Sequence, residues 1–264
     1  MNGADSSERA LAAHLLGHYG VPVEVLPFAF GPREALAFPV RCADLARRAC
    51  PGGRRALDLG CTVGRSSFEL CRQFGEVVAL DPSERFIRTA RYLQAEGCLS
   101  YRRADEGEIG TPLVARIDPA IDRRRVTFGV ADPDRLPAVP GPFDCVLAAN
   151  LLERCRDPQA LLDRCFDLVS AGGVLVLTST YAWADGPAPT SNWLGGFCSN
   201  GAEVYGARTV RAVLSSGFTP CSEGEMPLLV REHARGYRWM VAHAMVWRRH
   251  GFSGGFRGLS VAGR

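Results

Sequence analysis

Short apolar runs alternate with amphipathic segments along most of the chain. The apolar runs have the length of buried strands, and they lie at 55–59, 77–80, 126–130, 143–149 and 174–178. Between them, apolar residues at helical spacing predict helices at 65–74, 83–95 and 158–170. Alternation of this kind predicts an α/β fold in which helices cover both faces of a mostly parallel sheet.

Outside this alternating region the pattern changes. Amphipathic helices at 6–20 and up to Cys50 predict that residues 1–50 form an N-terminal helical cover over the main domain, residues 51–250. The Gly-, Ser- and Arg-rich residues 251–264 are expected to form a frayed tail. The other predicted features are an insertion with little regular structure at 97–125, a loop at 179–206, a helix at 209–216, and strand-like segments at 218–222 and 240–248.

All 31 basic side chains are arginine, and the sequence contains no lysine. This excludes Walker A loops, protein-kinase strand lysines, pyridoxal Schiff bases and Ser-x-x-Lys hydrolases, because each needs an amine. We attribute the absence to a GC-rich coding bias. The net charge of +3 is mild, and the densest basic cluster, Arg123–Arg125, is typical of a solvated turn. We therefore do not expect nucleic acid as a partner.

Ten cysteines are spread along the chain without any Cys-x-x-Cys pair, which excludes zinc-ribbon and thioredoxin-type spacing. The polar residues 1–9 contain no signal-peptide core, and no apolar run reaches the ~18–20 residues of a membrane helix. We therefore expect a protein of the reducing cytoplasm that does not enter a membrane. His14 and His18 have the spacing of metal ligands on a helix, but without a third ligand they indicate a solvated helix face, and we expect no metal.

A glycine-rich turn follows the first strand of the parallel series. Gly60 and Gly64 bracket it, so its backbone N–H groups can approach a ligand closely. The spacing is not Gly-x-Gly-x-x-Gly, and the carboxylate of Asp58 would repel a phosphate but suit an ammonium group. S-adenosylmethionine (SAM) carries an ammonium, a carboxylate and a sulfonium and has no phosphate. The turn therefore favours SAM over a dinucleotide.

Polar residues stand at the ends of the next three strands of this series. Asp81 suits the ribose hydroxyls of SAM, Asp132 suits its adenine amino group, and Asn150 is expected to face the methyl group. The alternative is that the two aspartates are helix N-caps only. The ordered set over about 50–180 resembles the class I SAM-dependent methyltransferases, which implies a Rossmann-like, seven-stranded sheet and S-adenosylhomocysteine (SAH) as the product. The implied cofactor-binding residues are Asp58, Gly60, Cys61, Gly64, Arg65, Ser66, Asp81, Pro82, Asp132 and Asn150.

A more specific resemblance lies partly outside the cofactor motifs. The run from Ala56 to Leu70 is similar to the methyltransferase of ovothiol biosynthesis, the 4-mercaptohistidine N1-methyltransferase family, which is fused behind a sulfoxide synthase or forms a separate chain. The resemblance implies methylation of an imidazole ring nitrogen of 5-thiohistidine (4-mercaptohistidine) or its selenium analogue, downstream of a sulfoxide-synthase-type enzyme. Further matching segments are Ala148–Leu152, Thr178–Trp183, Asn192–Gly196, Met226–Glu232, Tyr237–Trp239 and Val246–Arg249.

An imidazole acceptor needs an unprotonated ring nitrogen, and a carboxyl, phenol or amide group could hold the opposite tautomer or take a proton. Arg231 is suited to clamp the acceptor's carboxylate, and Trp183 and Trp193 would form an aromatic slot. Alternatively, the tryptophans pack the sheet edge and Arg231 pairs with Glu232 at the surface. The predicted catalytic residues are Asn150, Tyr181 and Glu232, and the predicted acceptor-binding residues are Tyr181, Trp183, Asn192, Trp193, Arg231 and Glu232.

Two other functions are compatible with the same residues. One is methyl transfer to another small metabolite, such as a carboxylate or a phenol, and the other is SAM binding without catalysis. His233 is a minor site candidate because it lies near Arg231, whereas His243 and His250 are isolated in the sequence. The sequence does not distinguish a sulfur from a selenium acceptor, or one ring nitrogen from the other.

Overall fold

The computed structural model describes residues 3–136 and 141–251. In chain order the strands are β1 (Arg55–Leu59), β2 (Glu76–Asp81), β3 (Cys98–Glu106), β4 (Ile109–Arg116), β5 (Val126–Val130), β6 (Phe143–Ala149), β7 (Val169–Ser179), β8 (Phe197–Ser199), β9 (Ala202–Val204), β10 (Phe218–His233) and β11 (Gly236–Arg249). The α-helices are α1 (Gly3–Tyr19), α2 (Pro22–Val25), α3 (Phe38–Ala49), α4 (Arg65–Leu70), α5 (Glu84–Glu96), α6 (Pro158–Leu168) and α7 (Gly206–Leu214).

The apolar runs form the centre of one seven-stranded sheet. Its strand order is β10-β11-β7-β6-β1-β2-β5. Strands β5, β2, β1, β6 and β7 pair in parallel, whereas β11 pairs antiparallel with β7 and β10 pairs antiparallel with β11. The prediction of a mostly parallel, seven-stranded α/β sheet is confirmed. Because the parallel strands share one direction, the turns at their carboxyl ends meet at one edge of the sheet.

Helices bury an apolar face on each side of this sheet. On one side, α3, α4 and α5 contribute Ala43, Phe68 and Ile87 to a continuous core. On the other side, α6 and α7 contribute Leu162 and Val210 to a second core. Two such layers are what the strands require, because a parallel sheet is apolar on both faces.

The insertion at 97–125 is regular, and the expectation of little structure there is wrong. Strands β3 and β4 pair antiparallel from Cys98 with Arg116 to Glu106 with Ile109, and Gly107 turns the chain at φ 55°. Leu99 and Tyr101 pack against the core, so the hairpin is half-buried. Apolar residues do not alternate regularly along the hairpin, because many of its positions carry polar side chains that bond to other elements.

The β10–β11 hairpin is longer than the two predicted strand-like segments. The last pair between β11 and β7 joins His243 to Ser179, and His243 also pairs with Glu225 of β10. Residues 226–242 therefore project beyond the carboxyl edge of the parallel sheet. Glu223 and Glu225 interrupt the apolar pattern on an exposed stretch of β10, which explains why the sequence predicted only part of the strand.

Helix α1 lies beside this hairpin and against β3, and its buried Leu15 and Tyr19 join the core that α3 also enters. The division into a cover at 1–50 and a domain at 51–250 stays a prediction. Of the predicted tail, residues 252–264 lie outside the described residues. Within the described ranges, no helix is both long and apolar enough to cross a membrane.

Candidate active site

The glycine turn joins β1 to α4 in a conformation that few side chains tolerate. Gly60 has φ 76°, Thr62 has φ 47° and Gly64 has φ 83°. A Cβ atom at residue 64 would lie 2.8 Å from the Cζ atom of Phe128, so only glycine fits there without displacing the core. The N–H group of Gly60 donates to the carbonyl of Leu80 at 2.8 Å, which fixes the start of the turn beside β2. The turn therefore presents backbone, as the sequence predicts.

Asp58 lies beneath this turn and is only 1% exposed. The hydroxyls of Ser66 and Ser67 donate to its Oδ2 atom at 2.7 and 2.6 Å. Burial raises the pKa of Asp58 to about 6, although the two serine hydroxyls oppose the shift. The two serine hydroxyls thus occupy one oxygen of the carboxylate and hold α4 under the turn, and contact of Asp58 and Ser66 with a ligand stays a prediction.

Asp81 links the glycine turn to the next helix. The N–H group of Thr62 donates to its Oδ2 atom at 3.0 Å, and the N–H group of Ser83 donates to its Oδ1 atom at 2.8 Å. Burial raises the pKa of Asp81, and these two N–H groups oppose the shift. Ser83, not Asp81, is the N-cap of α5, and Pro82 is exposed beside it. Asp81 is therefore positioned at the mouth of the turn, where a ribose would be recognised.

The ends of β5 and β6 lie at the same edge. Asp132 is exposed, and its side chain accepts from the N–H group of Asp134 at 3.0 Å as the cap of a short 3-10 turn. Asn150 has φ 48°, and its Oδ1 atom accepts from the hydroxyl of Thr178 at 2.8 Å. The structure thus brings Asp132 and Asn150 to the edge that the sequence predicts, and Asp132 is also a cap.

Helix α1 covers the turn from above. The Nε2 atom of His18 lies 3.0 Å from the Oγ1 atom of Thr62, and the hydroxyl of Tyr19 donates to the carbonyl of Val63 at 2.7 Å. Burial lowers the pKa of His18 well below its ordinary value and also lowers that of His14. The prediction of a solvated helix face is therefore wrong, because His18 contacts the turn and the ring centre of His14 lies 4.6 Å from that of Phe86.

Cys61 and Arg65 flank the turn without facing solvent freely. Cys61 is 1% exposed, and burial raises the pKa of its thiol. The Nη2 atom of Arg65 lies 2.9 Å from the Oε1 atom of Glu69, and its guanidinium stacks 5.5 Å from the ring centre of Tyr19. Arg65 is thus held by Glu69 and Tyr19, Cys61 is enclosed in the core, and contact of either side chain with a ligand stays a prediction.

The loop that follows β7 is packed more tightly than the sequence suggests. Trp183 is 4% exposed and lies in the core on the α6 and α7 face. Trp193 packs against the same core and donates its Nε1–H to the carbonyl of Ala188 at 3.1 Å, while Asn192 donates to the carbonyl of Arg156 at 3.0 Å. The expected aromatic slot between the two tryptophans is corrected, because their rings mainly fix the loop.

Glu153 is a buried carboxylate near this edge that the sequence pattern did not predict as part of the site. It is 5% exposed, and its carboxylate accepts from the hydroxyl of Ser179 at 2.7 Å and from the N–H group of Thr180 at 3.1 Å. These bonds set the path of the chain leading to Tyr181, which has φ 54°. The only indication of Glu153 in the sequence was that it is an acidic residue three positions after Asn150.

Tyr181 is connected to a histidine that the sequence left isolated. Its hydroxyl lies 2.9 Å from the Nδ1 atom of His243, and the Nε2 atom of His243 lies 3.2 Å from the Oε2 atom of Glu223. Arg211 of α7 donates from Nε to Glu223 Oε1 at 2.9 Å, and this bond and the ion pair hold the pKa of the carboxyl below its usual range. The view of His243 as isolated is therefore corrected.

Arg231 and Glu232 do not form the predicted clamp. Arg231 is 6% exposed, and its guanidinium donates to the carbonyl of Glu24 at 2.9 Å and to the Oδ1 atom of Asp105 at 3.1 Å. Glu232 is exposed and accepts from Arg238 at 2.7 Å. Arg231 thus ties β10 to α2 and β3, although it also lines a cavity of about 410 Å³ under α1. The described residues contain no group of three or more His, Cys, Asp and Glu side chains able to hold a metal ion.

Part of the chain is similar to a known protein family. Residues 57–177 match the family described as a methyltransferase domain. The ubiquinone biosynthesis O-methyltransferase of Xylella fastidiosa (strain 9a5c) is 31% identical over 151 residues, which is 56% of this chain and 52% of the relative. The protein of that name from Xanthomonas campestris pv. campestris (strain B100) is 29% identical over 152 residues, covering 56% and 53%. The chain thus spans about half the length of these curated relatives.

Solved structures share the fold at low identity. The N-methyltransferase NodS from Bradyrhizobium japonicum WM9, solved in complex with SAH, aligns with a TM-score of 0.55 and 15% identity over 92% of this chain and 98% of that chain. The [4+2]-cyclase SpnF aligns with a TM-score of 0.57 and 16% identity over 92% and 93%. Because a cyclase shares it, the fold alone does not fix the reaction.

Proposed function

We propose, on the premise that residues 57–177 form a class I SAM-dependent methyltransferase domain, that the chain methylates an imidazole ring nitrogen of a thiolated histidine. The acceptor is 5-thiohistidine (4-mercaptohistidine) or its selenium analogue. An enzyme of the sulfoxide-synthase type, acting earlier, would supply the thiolated ring.

The residues at the carboxyl edge fit SAM. The turn at Gly60 and Gly64 offers backbone without side chains, and a Cβ at residue 64 would close that space. Asp81 stands at the mouth of the turn with its carboxylate held by two N–H groups, as recognition of a ribose diol requires. Gly60, Gly64 and Asp81 would therefore hold the cofactor, with Asp132 and Asn150 at the neighbouring strand ends.

One observation carries the choice of acceptor. The segments Asn192–Gly196 and Met226–Glu232, which resemble the ovothiol family, are far apart in the sequence, yet both belong to elements beyond the carboxyl ends of the parallel strands. The first lies in the loop after β7, and the second lies on the projecting part of β10. This is where substrates bind in open α/β sheets. The common position supports an acceptor recognised by both segments.

The protein's contribution to such a reaction is alignment and control of a proton. When bound, SAM would supply an electrophilic methyl group on its sulfonium, with SAH as the leaving group when the lone pair of a ring nitrogen forms the new C–N bond. Glu153 fixes the loop that carries Tyr181, and Thr178 fixes the side chain of Asn150, so both groups are held before the acceptor arrives. Helix α1 covers the glycine turn and limits the access of water.

The test is a product analysis. Incubation of the full chain with SAM and 5-thiohistidine should give a product about 14 mass units heavier, which corresponds to an added CH2 group. Fragmentation should locate the methyl group on the ring, because S-methylation would leave both ring nitrogens free. Histidine serves as the matched control acceptor without the sulfur.

Two results would contradict the proposal. Turnover of a phenol or a carboxylate with no product from 5-thiohistidine would leave the assignment as a methyltransferase in place but would rule out 5-thiohistidine as the acceptor. Calorimetric binding of SAM without turnover of any of these acceptors would favour a non-catalytic SAM-binding protein.

A further inference from the structure

A partly exposed hydrogen-bonded chain links the loop after β7 to the antiparallel edge of the sheet. It runs from Tyr181 through His243 to Glu223, with contacts of 2.9 and 3.2 Å. These residues come from the loop, β11 and β10. Three separate elements thus converge on one polar chain in which each side chain is hydrogen-bonded to the next.

The partners fix the proton positions in this chain. Arg211 pairs with Glu223, so Glu223 is an ionised carboxylate that can only accept a hydrogen bond. The Nε2 atom of His243 must then carry a proton, and in the neutral ring Nδ1 keeps its lone pair. The hydroxyl of Tyr181 consequently donates to Nδ1. Tyr181 Oη is left with lone pairs that can accept a proton from elsewhere.

We propose that Tyr181, His243 and Glu223 form a proton relay that takes the proton from the attacking ring nitrogen of the acceptor; this rests on the proposed function. The N–H bond of the acceptor breaks as an O–H bond forms on Tyr181, and the original O–H proton moves to Nδ1 of His243. The electron pair of the broken N–H bond stays on the ring nitrogen, where it is available to the methyl group. His243 becomes an imidazolium that Glu223 stabilises.

The surroundings of the chain are consistent with this direction of transfer. Besides Glu223, the charged and titratable groups that face His243 are Glu225, its register partner on β10, Arg211 from α7 and Tyr181 from the loop. The side chain of Glu223 is 30% exposed and that of His243 is 13% exposed, so the proton can leave to solvent after product release. Tyr181 touches the acceptor in this scheme, whereas His243 and Glu223 act through Tyr181.

The first test needs no acceptor. In protein labelled with 15N at histidine, the neutral form of the His243 ring should carry its proton on Nε2, assigned by the loss of its signals in His243→Phe. A proton on Nδ1 of the neutral ring would overturn the relay, because that atom could not then receive a proton. This readout decides the hydrogen-bond pattern even where the turnover assay rejects 5-thiohistidine as the acceptor.

The second test uses kcat/KM as a function of pH. The wild-type value should fall on acidification, because the relay works only while it can accept a proton from the acceptor. His243→Phe should lower kcat/KM by about a hundredfold or more near pH 8, and should lose this acidic limb, while its SAM affinity stays unchanged. His250→Phe is the matched control, since His250 is exposed at the far end of β11.

Two further variants protect the test against a folding defect. Tyr181→Phe removes the hydroxyl alone, and Glu223→Gln keeps an acceptor oxygen while removing the charge. Both should lower kcat/KM with normal SAM binding, and Glu223→Gln should shift the acidic limb. A wild-type pH profile in His243→Phe, or full activity in Tyr181→Phe, would show that the chain only fixes the loop.

Discussion

The glycine turn offers the sharpest test of how the sequence builds this site. In Gly64→Ala the new Cβ would lie 2.8 Å from the Cζ atom of Phe128 and 3.2 Å from the Cβ atom of Ala90. Phe128 cannot retreat freely, because it is 4% exposed and packs edge-on against Phe68 with ring centres 5.4 Å apart. The left-handed φ of 83° costs an alanine about 1–2 kcal/mol, and overpacking adds about 1–3 kcal/mol. We expect the free energy of unfolding to fall by about 2–5 kcal/mol.

Gly52→Ala is the matched control for this prediction. Gly52 has φ 80°, and an added Cβ there would meet nothing within 4 Å, so only the conformational cost of about 1–2 kcal/mol applies. Urea unfolding of both variants measures the difference, and calorimetry should show at least a tenfold loss of SAM affinity in Gly64→Ala alone. If the two variants lose the same stability, the contact with Phe128 does not constrain the turn and the reasoning fails.

Three other predictions follow from single side chains. Asp81→Asn should weaken SAM binding by about tenfold to a hundredfold in calorimetry, because it removes a charged acceptor. Asp132→Asn should have a smaller effect, because Asp132 is exposed. Equal SAM affinities for Asp81→Asn and the wild type would contradict the proposed cofactor site. Arg231→Met should lower the free energy of unfolding by about 1–3 kcal/mol and leave the KM for the acceptor unchanged, because Arg231 forms an ion pair with Asp105. A raised KM at normal stability would instead support binding of the acceptor's carboxylate by Arg231. Burial raises the pKa of Asp58 to about 6 from the 3.8 of an ordinary aspartate, so the folded state binds its proton more tightly, and stability should fall as pH rises through this window by up to about 3 kcal/mol. Asp58→Asn should lack that fall in unfolding midpoints measured from pH 4 to pH 7, and an identical pH dependence would refute the assignment.

Much of the fold was predictable because its signals are local. The parallel strands are short apolar runs, the helices between them have apolar residues at helical spacing, and the carboxyl ends of parallel strands necessarily meet at one edge. The positions of Gly60, Gly64, Asp81, Asp132 and Asn150 at that edge followed from these rules. The local sequence determines the conformation of these residues, so the pattern along the chain was enough to predict their positions.

Side-chain partners were less predictable even where the element was right. Asp58 was correctly expected at the end of β1, but only the packing of α4 shows that one oxygen of its carboxylate accepts from both Ser66 and Ser67. Trp183 and Trp193 were correctly expected near the site, but their rings pack against the core to which α6 and α7 contribute. A strand position does not specify which neighbour satisfies a buried polar or aromatic group.

The sequence by itself determined the α/β architecture and the glycine turn, and it predicted the chemical class of ligand that the turn admits. Only the tertiary structure decided how the antiparallel hairpins complete the edge. Tyr181 meets His243 across 62 residues of sequence, and Arg231 meets Asp105 across 126. Contacts of this kind depend on strand order and register, which no periodicity within a single segment encodes.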